Sequence, residues 1–122
     1  MMKLTAGELK VMQLLWQHGE MKPSEMQDLF PEPIKNAAIR SYLSILVEKG
    51  HITRKQVGKA FFYKAKTQQN RAFHSMLKDL VDTFCGGSKK RLLLTLVKSE
   101  KLTDEQLAEI QAIADQQDGK LK

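Results

Sequence analysis

Ala37, Arg40, Ser41 and Ser44 fall three and four residues apart within NAAIRSYLSILVEKG, residues 36–50. On a helix that spacing gathers them on one face. A guanidinium can donate two parallel hydrogen bonds to a guanine edge, a serine hydroxyl can donate or accept, and an alanine methyl can meet a thymine methyl. The face carries no acid until Glu48. An ordinary solvated helix would alternate Lys with Glu at i,i+4. This one is suited to touching something anionic that offers hydrogen bonds at close range.

More of the same chemistry surrounds it. Lys35 and Asn36 stand at the start of the stretch, where a phosphate is the expected partner. Ser24 lies in the first turn of the preceding helix and can donate to a phosphate. Arg54, Lys55 and Lys59 follow in a segment rich in β-branched and aromatic residues. Between 35 and 66 there are eight basic residues and one acidic. That imbalance is the footprint expected of a phosphate-backbone partner, with contacts that set register and salt dependence without reading sequence.

These residues need a scaffold, and the periodicity supplies one. Thr5 and Glu8 make a capping box that opens a first helix, with Leu9, Met12, Leu15 and Trp16 as its buried stripe. Gly19 suits a left-handed C-terminal position. Pro23 fits the first turn of a second helix carrying Met26, Leu29 and Phe30, which PEP at 31–33 must stop. The third helix buries Ile39, Leu43, Leu46 and Val47, and Gly50 closes it. HITRKQ and AFFYKA then flank Val57-Gly58-Lys59, a two-stranded hairpin with Gly58 in its turn. Three short helices and a basic hairpin over residues 1–66 form a winged helix-turn-helix, whose third helix enters the major groove.

Residues 67–122 return to helical periodicity. Phe73, Leu77, Leu80 and Phe84 repeat along one helix, widened by Met76 and Val81. Cys85-Gly86-Gly87 breaks it, Ser88 caps a helix with Leu92, Leu93, Leu96 and Val97, and Thr103 with Gln106 opens a last one with Leu107, Ile110 and Ala114. The tail DQQDGKLK is expected to fray. These apolar faces exceed what a small winged helix can cover, so Phe73, Leu77, Leu80, Phe84, Leu92, Leu93, Leu96, Leu107 and Ile110 are read as a dimerisation surface. The fold class is therefore mainly α with a small β-hairpin: a winged helix-turn-helix domain, then a C-terminal helical dimerisation domain.

Composition narrows the function classes. A single cysteine excludes an intrachain disulfide and a multi-cysteine metal site. No apolar run approaches the ~18 residues of a membrane span, and MMKLTAGELK lacks a signal-peptide core. A cytoplasmic protein with no membrane insertion is expected. His18, His51 and His74 lack ligand spacing, Met12, Met26 and Met76 read as core, and Cys85 reads as a small buried hydrophobe. No P-loop, G-x-S-x-G or H-E-x-x-H is present, so neither an enzyme nor a cofactor is indicated.

LTAGELKVMQLLW, then IRSYLSILVEKGHI, FFYKA and FCGGSKKRLLLTLVKSEKLTDEQLAEI, together resemble the penicillinase-repressor family over residues 4 to 116. These are bacterial repressors of β-lactamase and methicillin-resistance genes, with the copper-operon repressors. The resemblance implies a homodimer of winged helices that binds a short palindromic operator in double-stranded DNA and blocks transcription. It also implies a membrane-bound metalloprotease antirepressor as partner. The family's third helix has Thr-(Val/Ile)-Arg-Thr-Leu-Leu-Thr-Arg-Leu. Here Arg40 is retained, Ser41 and Ser44 stand for threonines, Ala38 lacks one hydroxyl, and Ile45 lacks a basic side chain. Where the antibiotic-resistance repressors have a cleavable Asn-Phe bond, this chain has Thr95-Leu96, and it lacks the clustered C-terminal cysteines of the copper-responsive members. Two other readings of the residues stay open: a winged helix that binds protein, and an architectural DNA binder blind to sequence.

Overall fold

Thr5 and Glu8 start the first helix in the reciprocal way their spacing predicts. Glu8 N–H donates to Thr5 Oγ1 at 3.3 Å, and Thr5 N–H donates to Glu8 Oε1 at 3.1 Å. The structure, a computed structural model, describes residues 3–121, without the side chains of Glu100 and of residues 117–121. In chain order the elements are α1 (Ala6–His18), α2 (Pro23–Leu29), α3 (Asn36–Lys49), β1 (Ile52–Val57), β2 (Ala60–Ala65), α4 (Gln69–Phe84), α5 (Lys89–Glu100) and α6 (Asp104–Leu121). No helix among the described residues is long and apolar enough to cross a membrane.

The chain divides into two compact units at Leu77/Lys78, inside α4. The boundary expected from periodicity lies earlier, at 66/67. The segment leading into α4 is tied to the winged helix by Trp16 Nε1–H, which donates to Thr67 O at 2.8 Å, and Ala72 in the first turn of α4 is buried.

In the first unit the core is built by Val11, Met12, Leu14 and Leu15 of α1, Met21 and Met26 around α2, Ile39, Leu43 and Leu46 of α3, and Ile52 and Tyr63 of the hairpin. β1 and β2 pair antiparallel from Ile52↔Ala65 to Val57↔Ala60, around a turn at Gly58-Lys59. Met21 adds a bridge that no local pattern announces. Its N–H donates to Tyr63 O at 2.9 Å, and Tyr63 N–H donates to Met21 O at 2.8 Å. The turn between α2 and α3 is held by Gln27, whose Nε2 donates to Ile34 O at 3.0 Å and whose Oε1 accepts from Asn36 Nδ2 at 3.3 Å. Lys10 ties the PEP segment back to α1 through Glu32 at 2.6 Å.

Several expectations need correction. Leu9 is only half-buried, and Val11 and Leu14 take the inner positions instead. Leu29 is exposed because seven-residue α2 turns only Met26 inward. Val47, roughly 80° round the helix from Ile39, is also exposed. Gly19 has φ 80 and ψ −148, which is not the left-handed helical region but one still largely restricted to glycine. Gly50 does close α3 in the left-handed conformation, at φ 81 and ψ 16. Gly7 has a different reason to be glycine: a Cβ there would collide with the Tyr42 ring.

In the second unit Val81 and Cys85 are buried, while Leu80, Phe84, Leu93, Leu94, Leu96, Leu107 and Ile113 are exposed. Ser88 caps α5 through Arg91 N–H at 3.1 Å, and Thr103 and Gln106 cap α6 reciprocally at 2.9 and 3.2 Å. The backbone of α6 stays helical to Leu121, across most of the tail expected to fray, with Gln111 Nε2 donating to Asp115 Oδ1 at 2.9 Å on the way. Lys122 lies outside the described residues.

One buried ion pair joins the start of α1 to the end of α3. Lys49 Nζ lies 2.6 Å from Glu8 Oε1, whose side chain is 4% exposed, and also donates to Lys3 O at 2.9 Å. Burial opposes the charged carboxylate, but hydrogen bonds from Lys49 and Thr5 outweigh it and hold the Glu8 pKa below its ordinary 4.5. A lowered carboxyl pKa stabilises the fold above the unfolded value and loses that contribution as pH falls through the folded value. Glu8→Gln should therefore cost about 1.5–3 kcal/mol at neutral pH. Urea unfolding at neutral pH and again well below pH 4.5 checks this. The deficit should shrink in acid, and a deficit that does not change with pH would refute the assignment.

Candidate nucleic-acid interface

α3 turns its three fully buried residues, Ile39, Leu43 and Leu46, into the core, and this rotation decides where the others point. At roughly 100° per residue, Asn36, Arg40 and Ser44 lie on one flank of the helix, and Ala37 and Ser41 on its outward crest. The flank borders a concave surface of about 530 Å³. Its other walls come from α2 and the hairpin: Lys22, Pro23 and Ser24 on one side, and Arg54, Lys59, Ala60, Phe61 and Tyr63 on the other. Among the described residues, four cationic side chains and no carboxylate line it.

The pleat of the hairpin determines which of its cations enters. Arg54 pairs across the ladder with Tyr63, whose ring is buried, so Arg54 shares the inner face. Its guanidinium carbon sits 4.8 Å from the Phe61 ring centroid, a cation–π contact that limits the conformations of the arginine. Lys55, one residue on, points to the opposite face and pairs with Glu20 at 3.2 Å. Lys59 reaches the groove from the turn.

Of the ten positions singled out in the sequence, Ser24, Asn36, Arg40, Ser44, Arg54 and Lys59 line this one concave surface. Ala37 and Ser41 are exposed on the crest of α3, Lys35 is exposed at its N-cap, and Lys55 is engaged elsewhere. Lys22 and Phe61 were not anticipated. Phe61 could have been found by extending the β alternation from Tyr63. Lys22 borders the site because Met21 bridges to β2, while its Nζ lies 5.8 Å from the centroid of Phe62, the cross-strand partner of Lys55.

The candidate dimerisation positions are placed as follows. Phe73, Leu80, Phe84, Leu93, Leu96 and Leu107 are exposed, and Leu77, Leu92 and Ile110 are half-buried. Met76, read as core, is 39% exposed because it falls on the uncovered stripe of α4; Leu94 and Ile113 add to the exposed apolar set.

The chain is similar to an uncharacterised 16.5 kDa protein in the ptsI 3′ region of Latilactobacillus sakei, at 23% identity over 113 residues, covering 91% of this chain and 77% of that protein. Among solved structures it resembles YusO from Bacillus subtilis, with a TM-score of 0.58 at 19% identity over 95% of this chain and 75% of the other. It also resembles a mutant MarR from E. coli complexed with operator DNA, with a TM-score of 0.52 at 18% identity over 93% and 74% of the two chains. At such identities the structural likeness is one of fold, the winged helix. The profile of the penicillinase repressor family matches residues 4–116, nearly the whole sequence, and the chain belongs to that family of DNA-binding transcriptional regulators.

Proposed function

We propose that this protein is a homodimeric repressor that reads a palindromic operator through α3 and the hairpin, residues up to 66 carrying the DNA contacts and residues from 67 onward the dimer contacts. The observation that carries this reading is the acid-free groove, which gathers Ser24, Asn36, Arg40, Ser44, Arg54 and Lys59 from three separate elements. Arg40, Ser41 and Ser44, with the Ala37 methyl, are the base-reading groups. Lys35, Asn36, Ser24, Arg54 and Lys59 meet phosphates, and Lys55 contributes only by giving up Glu20. That MarR was captured on operator DNA supports the same docking for this fold.

Dimerisation rests on the second unit and the end of the first. Phe73 and Phe84 are 61% and 72% exposed, and leucines continue the uncovered stripe. A monomer seldom leaves so many large apolar side chains in water. A membrane-bound metalloprotease antirepressor, implied by the family, would here have to accept Thr95-Leu96. The Thr95 hydroxyl is bonded to Arg91 O at 2.8 Å within α5, so cleavage would require local unwinding.

Selection of bound duplexes from a random DNA pool tests the reading directly. A recovered palindrome with half-sites about one DNA turn apart is expected. Bound DNA with no shared sequence would mean an architectural binder, and no bound DNA would mean that the basic face serves an acidic protein.

Two sets of variants sharpen the assignment. Arg40→Ala should cost roughly 1–3 kcal/mol and relax base choice at one position per half-site, whereas Lys59→Ala should weaken all sequences and flatten the salt slope by about one. Lys55→Ala should change binding least of the basic hairpin residues. Titrations of selected and scrambled duplexes at several salt concentrations read all three, and an equal loss for Arg40→Ala on both duplexes would remove it from base reading. Replacing Phe73 and Phe84 with Glu should leave a folded monomer in sedimentation equilibrium, with much weakened operator binding. A dimer that survives both changes would move the interface elsewhere.

A further inference from the structure

The end of α3 remote from Asn36 borders a second basic hollow. Lys49, Gly50 and His51 at the exit of the helix, Lys66, Thr67 and Gln68 beyond β2, and Arg71 of α4 line about 450 Å³. All of them belong to the first unit. Among the described residues no carboxylate lines the hollow, and none of its residues borders the groove of Arg40 and Arg54. The volume suits a small metabolite.

Its walls are built from ordered groups. His51 is 1% exposed, with Nδ1 2.8 Å from Thr67 Oγ1. Lys49 is already balanced by Glu8 at 2.6 Å. Lys66 and Arg71 are exposed and, among the described residues, have no ion-pair partner. Two cations without an ion-pair partner thus line a concave surface that Gln68 also borders. A metal cation would be repelled there, and an apolar ligand would strip water from charges it could not satisfy.

We propose that this hollow binds a small, multiply charged anion, inorganic phosphate or a phosphate ester. Lys66 and Arg71 hold it from either side, Arg71 through its planar fork. The occupant joins the segment leaving β2 to the start of α4. The site does not depend on the DNA-binding reading, because it shares no residue with that groove.

Trp16 provides the readout. It is the chain's single tryptophan, and its indole N–H donates to Thr67 O at 2.8 Å. Full-length protein is titrated with sodium phosphate, and with sodium chloride at matched ionic strength, following tryptophan emission and the phosphorus NMR linewidth of the phosphate. A saturable, phosphate-specific response in either signal is expected. Lys66→Ala and Arg71→Ala should each weaken it about tenfold, the loss of one hydrogen bond to a charged group, with circular dichroism unchanged and duplex DNA binding within about twofold of the parent. A response equal in phosphate and chloride, or one indifferent to both substitutions, would overturn the proposal. Substitutions that weaken DNA binding as much as phosphate binding would also overturn it, by making the hollow a backbone contact for DNA. A chain that binds phosphate but no duplex would leave this site standing while refuting the repressor.

Discussion

Ile39, Leu43 and Leu46 have no exposed surface at all, and everything the first unit presents outward follows from that. Burying three such side chains favours one rotation of α3 by about 1.5–3 kcal/mol for each. Turning the helix by one residue, about 100°, would expose all three and bring Arg40 into the core. A charged guanidinium there would lack the water or acceptors it needs. The apolar stripe therefore does more than hold the helix down. It fixes the azimuth of Asn36, Arg40 and Ser44 against the hairpin, and places Lys49 on the far flank against Glu8.

The hairpin is constrained by the same kind of argument with a different period. A two-stranded ribbon by itself is marginal in water and free to twist. Here Tyr63 is buried and its backbone is bridged on the free edge by Met21, so the ribbon has one possible face inward. Period-two alternation then separates Arg54 from Lys55 although they are neighbours in sequence. Arg54 stacks on Phe61 and borders the groove, whereas Lys55 pairs with Glu20.

Features with a short-range cause were legible in the sequence: the Thr5 and Thr103 boxes, the Ser88 cap, the stop at Gly50 and the hairpin around Gly58 each depend on residues within four positions. Most of the groove was legible too, because helical spacing and an acid-poor stretch mark α3 and the hairpin directly. What could not be read depends on contacts between distant segments. The Met21–Tyr63 bridge brings Lys22 to the site across about forty residues, and nothing near Lys22 signals it. Period alone places Leu29, Val47 and Met76 in the core, yet all three are exposed. Period says which residues share a face, but an apolar face is covered only if a partner element reaches it, as α1 reaches Leu43, whereas Phe84 is left exposed.

That uncovered surface bears on specificity. On the proposed reading one winged helix offers Arg40, two serines and a methyl to the bases. A good bidentate contact discriminates by about 1–3 kcal/mol, whereas a genome presents about a million or more competing sites, equivalent to roughly 8 kcal/mol or more. One reading head of this size falls short of that figure. Two heads on one palindrome add their discrimination without adding a new kind of contact, provided the two copies stay together on free DNA. The exposed phenylalanines of α4 and leucines of α5 are then part of the reading apparatus: they make the second half-site available, and a change that loosens them weakens operator choice without touching a base.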